Sequence, residues 1–341
     1  MSVKIAAAAC PMRVLFVIPE LIKDDLYGRF MTLLQPHMRR PGLRQLLIHP
    51  SLIARQTFGG TLNIMRNCAL VRSLGVEAAL VTRRGVDTYG AFNIVQVPFV
   101  RWSDIRPDDV VVMPDFCTDL IDQLRGPVIA YLQVPTLVLN NFKYMDPRVR
   151  LWTDSPFMLK RCQEVYPGKA ISIVPNVVDP KTFPFRVQAE RESGLLMAFP
   201  RKGPEFIEAT REAYKKLGGT YWHFELIDGV TLFELARRMQ RPQAFLASAD
   251  VEGCALPPQE CMASGIVVVG KDARGANFSM EHRKTAMVAD TPQAAAECLR
   301  EIEDSSLRES IARNGHEFVS RYFPENEPAQ HWRNVLQELR A

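Results

Sequence analysis

Short apolar runs alternate with amphipathic segments along most of the chain, which is the pattern of βα units built around a parallel sheet. Several runs are apolar at every position, as expected of strands that helices cover on both faces. The segment 61–74 has apolar residues at helical spacing and precedes Gly75, so it predicts a helix. The predicted strands of the first half are the runs at residues 13–19, 76–82, 93–100, 109–114, 128–133 and 150–155.

A second alternating series begins near residue 194 and is followed by predicted helices over 291–340. Between the two series, the proline-spaced segment 167–185 has no periodicity, and we interpret it as the connection between two domains. The predicted strands of the second series are the runs 194–200, 222–228, 244–248, 266–270 and 286–289, and its predicted helices are 204–217, 231–239 and about 257–264.

Length and composition agree with a two-domain α/β protein. A chain of 341 residues suits two domains better than one. The net charge of +4 is small, and 42 basic residues are interspersed with 38 acidic ones, so nucleic-acid binding is not indicated. The cysteines show no paired spacing and lie in apolar segments, which favours reduced core residues of a cytoplasmic protein. The histidines have no metal-ligand spacing, and no apolar run approaches the roughly 18 residues that span a bilayer.

The segment 248–270, SADVEGCALPPQECMASGIVVVG, carries two glutamates around a double proline. Pro257 and Pro258 suit the first turn of a helix, where a missing N–H costs nothing, and Gly265 suits its end. This places Glu260 on the helix and Glu252 in the loop before it. A helix N-terminus that opens into a cleft offers unpaired N–H groups and a positive dipole end, so a diphosphate fits there.

Two further pairs of residues are candidates for phosphate contacts. Arg201 and Lys202 follow an apolar strand at its carboxyl end, where two cations can neutralise a leaving diphosphate. Gly59 and Gly60 precede the helix of the first half, so the backbone there can approach a phosphate or a sugar closely. The alternative for each pair is an ordinary solvated turn.

Together these motifs resemble those of the retaining, nucleotide-sugar-dependent glycosyltransferases of family four, which have the GT-B fold. The resemblance rests on FGGTLNIM, VPNVVD, PRKG and EGCALPPQECMASG, and it covers most of the chain after residue 59. It implies two Rossmann-like domains facing across a cleft and a last helix that crosses back to the first domain. The expected boundaries are 1–170 for the acceptor domain, with an insert at 20–58, then 171–322 for the donor domain and 323–341 for the returning helix.

The resemblance also implies roles for individual residues. Glu260 would accept hydrogen bonds from the two ribose hydroxyls of the nucleotide, and Glu252 would bind hydroxyls of the transferred sugar. Arg201, Lys202 and Glu252 form the expected catalytic set, and Arg274 lies in a loop that borders the sugar. The expected phosphate-approaching backbone is that of Gly253, Cys254, Ala255 and Leu256, together with Gly59 and Gly60.

The chain departs from the family pattern at two positions. Met197 stands where an arginine usually lies five residues before the lysine, and Gln133 stands where many relatives have a histidine that contacts the sugar. Glutamine can hydrogen-bond a sugar hydroxyl but cannot exchange a proton near neutral pH. These departures motivate a rival interpretation, a non-catalytic sugar-nucleotide-binding protein. A GT-B sugar-nucleotide epimerase or phosphorylase is a second rival.

The implied activity is that of a cytoplasmic, metal-independent hexosyltransferase of polysaccharide biosynthesis. It would move a sugar from a nucleotide-sugar donor to a glycan or lipid-linked acceptor with retention of configuration. The segment 27–47 mixes apolar residues with arginines, among them Arg39, Arg40 and Arg44. This mixture predicts either peripheral contact with an anionic membrane surface or a basic flap on the acceptor side.

Overall fold

A computed structural model describes residues 12–18, 59–85, 95–137, 141–230, 232–322 and 326–340. The insert expected at 20–58, including the segment 27–47, lies outside these residues. Within the described part of the chain, no helix is both long enough and apolar enough to cross a lipid bilayer. The described cysteines are free and buried, in agreement with their interpretation as core residues.

The first sheet has seven parallel strands in the order β3-β2-β1-β4-β5-β6-β7. Alternate residues of β1 enter two different cores, with Val14 and Phe16 on one face and Leu15 and Val17 on the other. This two-sided burial explains why the central strands are apolar throughout. The strands are β1 Arg13–Val17, β2 Glu77–Thr82, β3 Phe99–Arg101, β4 Val110–Pro114, β5 Val128–Leu132, β6 Val149–Thr153 and β7 Ile171–Ile173, and the helices of this part are α1 Gly59–Ser73 and α2 Pro156–Val165.

The second sheet has five parallel strands in the order β12-β11-β10-β8-β9. The two parallel sheets confirm the predicted α/β architecture of two Rossmann-like units. The strands are β8 Glu192–Ala198, β9 His223–Leu226, β10 Pro242–Ala247, β11 Val267–Gly270 and β12 Met287–Val288. The remaining helices are α3 Pro204–Lys216, α4 Leu232–Arg238, α5 Leu256–Ser264, α6 Pro292–Glu301, α7 Ser305–Tyr322 and α8 Asn326–Arg340.

Two strand predictions differ from the structure. β7 lies inside the segment interpreted as the interdomain connection, yet it pairs with β6 at the edge of the first sheet. The boundary expected at residue 170 therefore falls before the last strand of that sheet. The strand predicted over 93–100 begins only at Phe99 within the described residues, because Pro98 lacks the N–H that a ladder requires.

The last helix returns to the first domain, as expected. Trp332 on α8 is fully buried in the same core as Phe16 of β1, and their ring centroids are 5.5 Å apart. The indole Nε1 of Trp332 donates a hydrogen bond of 2.9 Å to Oδ1 of Asn67 on α1. A buried indole N–H needs such a partner, so this bond fixes the position of α8 along α1.

Helix α1 also holds the connection between the domains. Asn63 donates to the hydroxyl of Tyr131 (2.8 Å) and accepts from the backbone N–H of Val177 (3.0 Å). The Tyr131 hydroxyl in turn donates to the carbonyl of Val174, at 2.8 Å. Because all of these groups are buried, leaving any one unpaired would cost about 1–3 kcal/mol. The network therefore fixes the chain where it leaves the first domain.

His331, on α8, predicts a pH dependence of stability. Its ring lies 4.9 Å from that of Trp152, and burial lowers its pKa to about 4, although Glu338 acts in the opposite direction. The unfolded imidazole has a pKa of about 6.5, so the unfolded chain binds a proton first as the pH falls. The contribution of the neutral imidazole to the free energy of unfolding is therefore complete above about pH 6.5 and declines towards pH 4. Between pH 7.5 and pH 5 the free energy of unfolding should fall by about 2 kcal/mol for this reason.

Urea unfolding of His331→Phe and of the wild type at these two pH values measures the effect. The substitution should reduce the pH-dependent loss of unfolding free energy by that amount. His223→Gln is the matched control, because its side chain is exposed on β9. An equal loss in the wild type and in His331→Phe would contradict the assignment.

Candidate active site

The candidate site lies where the carboxyl ends of both sheets face each other. Gln133 and Asp154 directly follow the neighbouring strands β5 and β6, whose last pair in register is Leu132 with Thr153. From the second sheet comes the loop of residues 248–255 that joins β10 to α5, here called the β10–α5 loop. Ligands of doubly wound sheets bind at such edges, beyond the carboxyl ends of the strands.

The β10–α5 loop is held on the first domain at Gly253. A Cβ atom added to Gly253 would lie 2.0 Å from the carbonyl oxygen of Gln133 and 3.2 Å from Oδ1 of Asp154. The hydroxyl of Ser155 donates to the carbonyl of Gly253 at 2.6 Å, and Nδ2 of Asn176 donates to the carbonyl of Cys254 at 3.0 Å. Only glycine permits this close approach of two backbones.

Helix α5 begins beside this contact. Its N-cap residue, Ala255, gives no side-chain cap, and the Ala255 N–H donates to Oδ1 of Asn277 at 3.1 Å. Gly265 ends the helix with a φ of +82°. The helix thus has the bounds that the double proline and the glycine predicted, with Glu260 on it and Glu252 in the preceding loop. Pro257 and Pro258 have no backbone N–H, so Leu256 supplies the N–H of the first three helical residues, and no side chain of the cap accepts it.

Glu260 is buried at the boundary between the domains. Its residue is 3% exposed, and its Oε1 lies 3.6 Å from Nη2 of Arg66, on α1 of the first domain. Burial raises the pKa of Glu260, whereas Arg66 lowers it. Oε1 has no hydrogen-bond partner among the described residues. A buried carboxylate oxygen with unused acceptor capacity is suited to bind a hydroxyl group.

Lys202 and Glu252 form a direct ion pair at the mouth of the site. The side chains are 43% and 19% exposed, so solvent screens the attraction and an incoming anion can compete for the ammonium group. The turn that carries Lys202 packs on the β10–α5 loop, because the Ser248 hydroxyl donates to the carbonyl of Lys202. Gly203 follows with a φ of +79°, and a Cβ there would lie 2.4 Å from the Ser248 carbonyl oxygen.

The basic residues of the site come from this turn and not from β8. Met197, at the position where the family pattern has an arginine, is 1% exposed and lies in the core of the second domain. Arg201 is exposed and precedes Lys202 in the same turn. The structure therefore brings Arg201, Lys202 and Glu252 to one end of the β10–α5 loop.

The start of α1 faces the start of α5. A Cβ atom on Gly59 would lie 3.2 Å from Cδ1 of Leu256, the first residue of α5. A Cβ atom on Gly60 would lie 3.1 Å from Oε1 of Gln133. Two helix N-termini from different domains therefore approach each other beside the Gln133 side chain, and both carry the positive ends of their dipoles.

Arg274 lies in the loop that follows β11. Ala273, Arg274 and Gly275 have consecutive φ values of +55°, +61° and +85°. Left-handed backbone at residues other than glycine is uncommon and is concentrated at functional sites. Asn277 of the same loop accepts the Ala255 N–H, so the loop borders the first turn of α5.

Three charged residues of the site were not singled out from the sequence. Asp154 is buried, its Oδ1 has no hydrogen-bond partner among the described residues, and burial raises its pKa well above the ordinary value. Asp115, after β4, accepts the N–H groups of Gln133 and Val134 at 3.0 and 2.8 Å. The available signal for Asp115 was its place directly after the predicted strand 109–114, and that for Asp154 was a carboxylate near the end of the predicted strand 150–155. Arg66 interrupts a helix that is otherwise mostly apolar.

A metal site is not formed by the described part of the chain. No three of its His, Cys, Asp or Glu side chains are grouped so that they could hold an ion. Among the described residues, Arg201, Lys202 and the helix N-termini offer positive charge to an anion.

Comparisons of sequence gave no match: no protein-family model fits the chain, and no curated protein is significantly similar to it. Comparisons of structure identify the fold, because solved glycosyltransferases share the two-domain architecture described above. The chain therefore has the GT-B fold.

Three of these structures illustrate the likeness. Sucrose-phosphate synthase from Thermosynechococcus elongatus is 11% identical, with a TM-score of 0.66 over 96% of this chain and 99% of its own. A glycosyltransferase from Rickettsia africae is 10% identical, with a TM-score of 0.66 over 96% and 98%. The HepE protein of Anabaena, in complex with UDP and glucose, is 13% identical, with a TM-score of 0.57 over 96% and 100%. At these identities the likeness concerns the fold.

The close approach at Gly253 predicts that Gly253→Ala separates the β10–α5 loop from the first domain. Overpacking against a backbone carbonyl should lower the free energy of unfolding by about 1–3 kcal/mol. Gly60→Ala is the matched control, because the added methyl group meets only the end of the flexible Gln133 side chain. Urea unfolding midpoints of both variants measure this difference, and equal midpoints would count against the contact.

Proposed function

We propose that this chain is a retaining glycosyltransferase of family four, which transfers a sugar from a UDP-sugar to a glycan or lipid-linked acceptor. The GT-B fold and the motifs of the β10–α5 segment support this proposal. The proposed nucleotide is UDP because the structurally similar HepE protein was solved with UDP and glucose and also with UDP-glucose. A second similar protein, the pneumococcal transferase GtfA, was solved with UDP and GlcNAc.

The observation that carries the proposal is the arrangement around α5. Glu260 is buried on the helix, and its Oε1 has no hydrogen-bond partner among the described residues. Lys202 and Glu252 are paired beside the β10–α5 loop, which precedes this helix. A nucleotide-sugar is long enough to contact both ends, with the ribose at Glu260 and the sugar at Glu252. Its diphosphate then lies over the first turn of α5, where the Leu256 N–H and the positive end of the helix dipole favour negative charge.

In the proposed mechanism the protein positions the reactants and stabilises charge. The bond between the sugar C1 and the diphosphate oxygen breaks, and a bond from the acceptor oxygen to C1 forms on the same face. The acceptor proton passes to an oxygen of the leaving phosphate, so no protein base is required. Lys202, Arg201 and the N-terminus of α5 stabilise the negative charge that develops on the diphosphate, a role proposed to be metal-independent.

Gln133 fits this mechanism because its role is to bind and not to transfer a proton. Its side chain lies beside Gly60 and its backbone lies against Gly253, so it sits between the two domains. A glutamine there can orient a sugar hydroxyl through its amide. Since Glu260 is buried between the domains, donor entry requires them to part, and their closure then excludes water.

A thermal-shift screen of the wild type against UDP-, GDP-, ADP- and dTDP-sugars tests the donor assignment. A UDP-sugar at 100 times its dissociation constant should stabilise the protein by about 2.7 kcal/mol. Glu260→Gln should retain only part of this stabilisation, because an amide offers one acceptor oxygen in place of two. If no nucleotide-sugar stabilises the wild type more than it stabilises Glu260→Gln, the donor site is assigned wrongly.

Removal of the Lys202 charge tests the transfer step. Lys202→Gln should lower kcat for donor hydrolysis or transfer by about 10²–10³ by analogy with other groups that stabilise developing charge. Lys215→Gln is the matched control, because Lys215 is an exposed lysine on α3 that pairs with Glu212. Equal turnover by the two variants would contradict the proposed role.

The rival function is that of a non-catalytic sugar-nucleotide-binding protein, motivated by Gln133. It predicts a donor-induced thermal shift without turnover for any acceptor. Donor hydrolysis that depends on Lys202 therefore separates the two functions. The proposed acceptor side includes the segment 27–47, for which peripheral contact with the cytoplasmic face of a membrane remains a prediction from the sequence.

A further inference from the structure

We propose that Arg66 is a positioning residue of the donor site, which favours the ionised form of the Glu260 carboxyl group and orients it towards the ribose hydroxyls. This inference rests on the proposed function of Glu260. It adds a charged side chain of the first domain to a donor site whose charged residues, by the sequence motifs, all lie in the second domain.

The Arg66 guanidinium is held at two points. Nη1 donates to the carbonyl of Val177 at 2.6 Å, and Nη2 lies 3.6 Å from Oε1 of Glu260. The Arg66 side chain is 7% exposed, and Val177 belongs to the connection between the domains. Because the Val177 hydrogen bond fixes the plane of the guanidinium, its second nitrogen can direct the Glu260 carboxylate.

The surroundings of Glu260 make this partner necessary. A carboxylate buried without a cation would take up a proton, because burial favours its neutral form. The next residue on α5, Cys261, is a buried thiol whose pKa is raised well above the ordinary value. It therefore stays neutral and does not compete with Glu260 for the Arg66 charge. Arg66 is the group that acts in the opposite direction to burial on the Glu260 carboxyl.

Ionisation matters for the ligand as well as for the protein. A carboxylate accepts hydrogen bonds at both oxygens, whereas a carboxylic acid uses one oxygen as a donor. The 3.6 Å contact with Arg66 is ionic and leaves Oε1 without a hydrogen bond among the described residues. That oxygen is therefore available to a hydroxyl group while the neighbouring charge keeps it anionic.

Calorimetric titration of the full-length protein with UDP between pH 6 and pH 8.5 tests the inference. The wild type should have a flat pH profile relative to that of Arg66→Met, because Arg66 favours the ionised form of Glu260 and the UDP phosphate titrates alike in both experiments. Arg66→Met should weaken binding at pH 6 by roughly ten- to a hundredfold, because a protonated Glu260 loses a charge-assisted hydrogen bond from a ribose hydroxyl. Its affinity should recover as the pH rises and Glu260 loses its proton.

Three variants separate positioning from a general structural effect. Arg66→Lys, which retains a cation, should restore the flat pH profile. In the Glu260→Gln background, adding Arg66→Met should change the dissociation constant by no more than about twofold, because the pair no longer exists. Arg72→Met is the matched control: Arg72 lies on the same helix and donates to the carbonyl of Ala78 at 3.0 Å, away from Glu260.

The outcomes also distinguish this inference from the proposed function. If the wild type does not bind UDP, the proposed function fails, and the role of Arg66 fails with it. If the wild type binds UDP and Arg66→Met binds it equally at every pH, only the role of Arg66 is overturned. Equal weakening in the Glu260→Gln background would also overturn it. Should Arg66→Met not fold, Arg66→Gln, which keeps hydrogen-bond donors but no charge, decides in the same way.

Discussion

The contact between Gly253 and the carboxyl edge of the first sheet determines the rest of the site. The backbone of the second domain approaches the Gln133 carbonyl so closely that no side chain fits, and the Ser155 hydroxyl fixes the distance. Helix α5 follows directly from this contact, so its direction and depth are set by the first domain. Glu260 reaches Arg66 only because α5 lies at this depth.

Helix α1 contacts the interdomain connection, α5 and α8. Asn63, Arg66 and Asn67 lie within about one turn of each other, and each binds a different part of the molecule. Asn63 binds the interdomain connection, Arg66 approaches α5, and Asn67 accepts the indole N–H of α8. Polar groups in a buried helix cost free energy unless every one is paired, so such a network tolerates few alternative arrangements.

The architecture and much of the local structure could be predicted from the sequence, because they depend on periodicity and on proline and glycine. The bounds of α5 are an example, since Pro257 and Gly265 act through local backbone chemistry. β7 was not predicted, because three half-exposed residues between prolines give no pattern. The pairing of Arg66 with Glu260 depends on how two domains dock, and that information is not contained in either segment alone.

The return of α8 to the first domain has a consequence for biosynthesis. Trp332 and its partner Asn67 are separated by 265 positions in the chain, and the whole second sheet lies between them. During synthesis, one face of the first core therefore stays uncovered until the second domain has been made. The strands of the second sheet all come before α8 in the chain. The second domain can therefore complete its core before the first domain does, although it is made later. Until α8 is made, the apolar surface of the first core that Trp332 covers stays exposed, which favours aggregation at that stage.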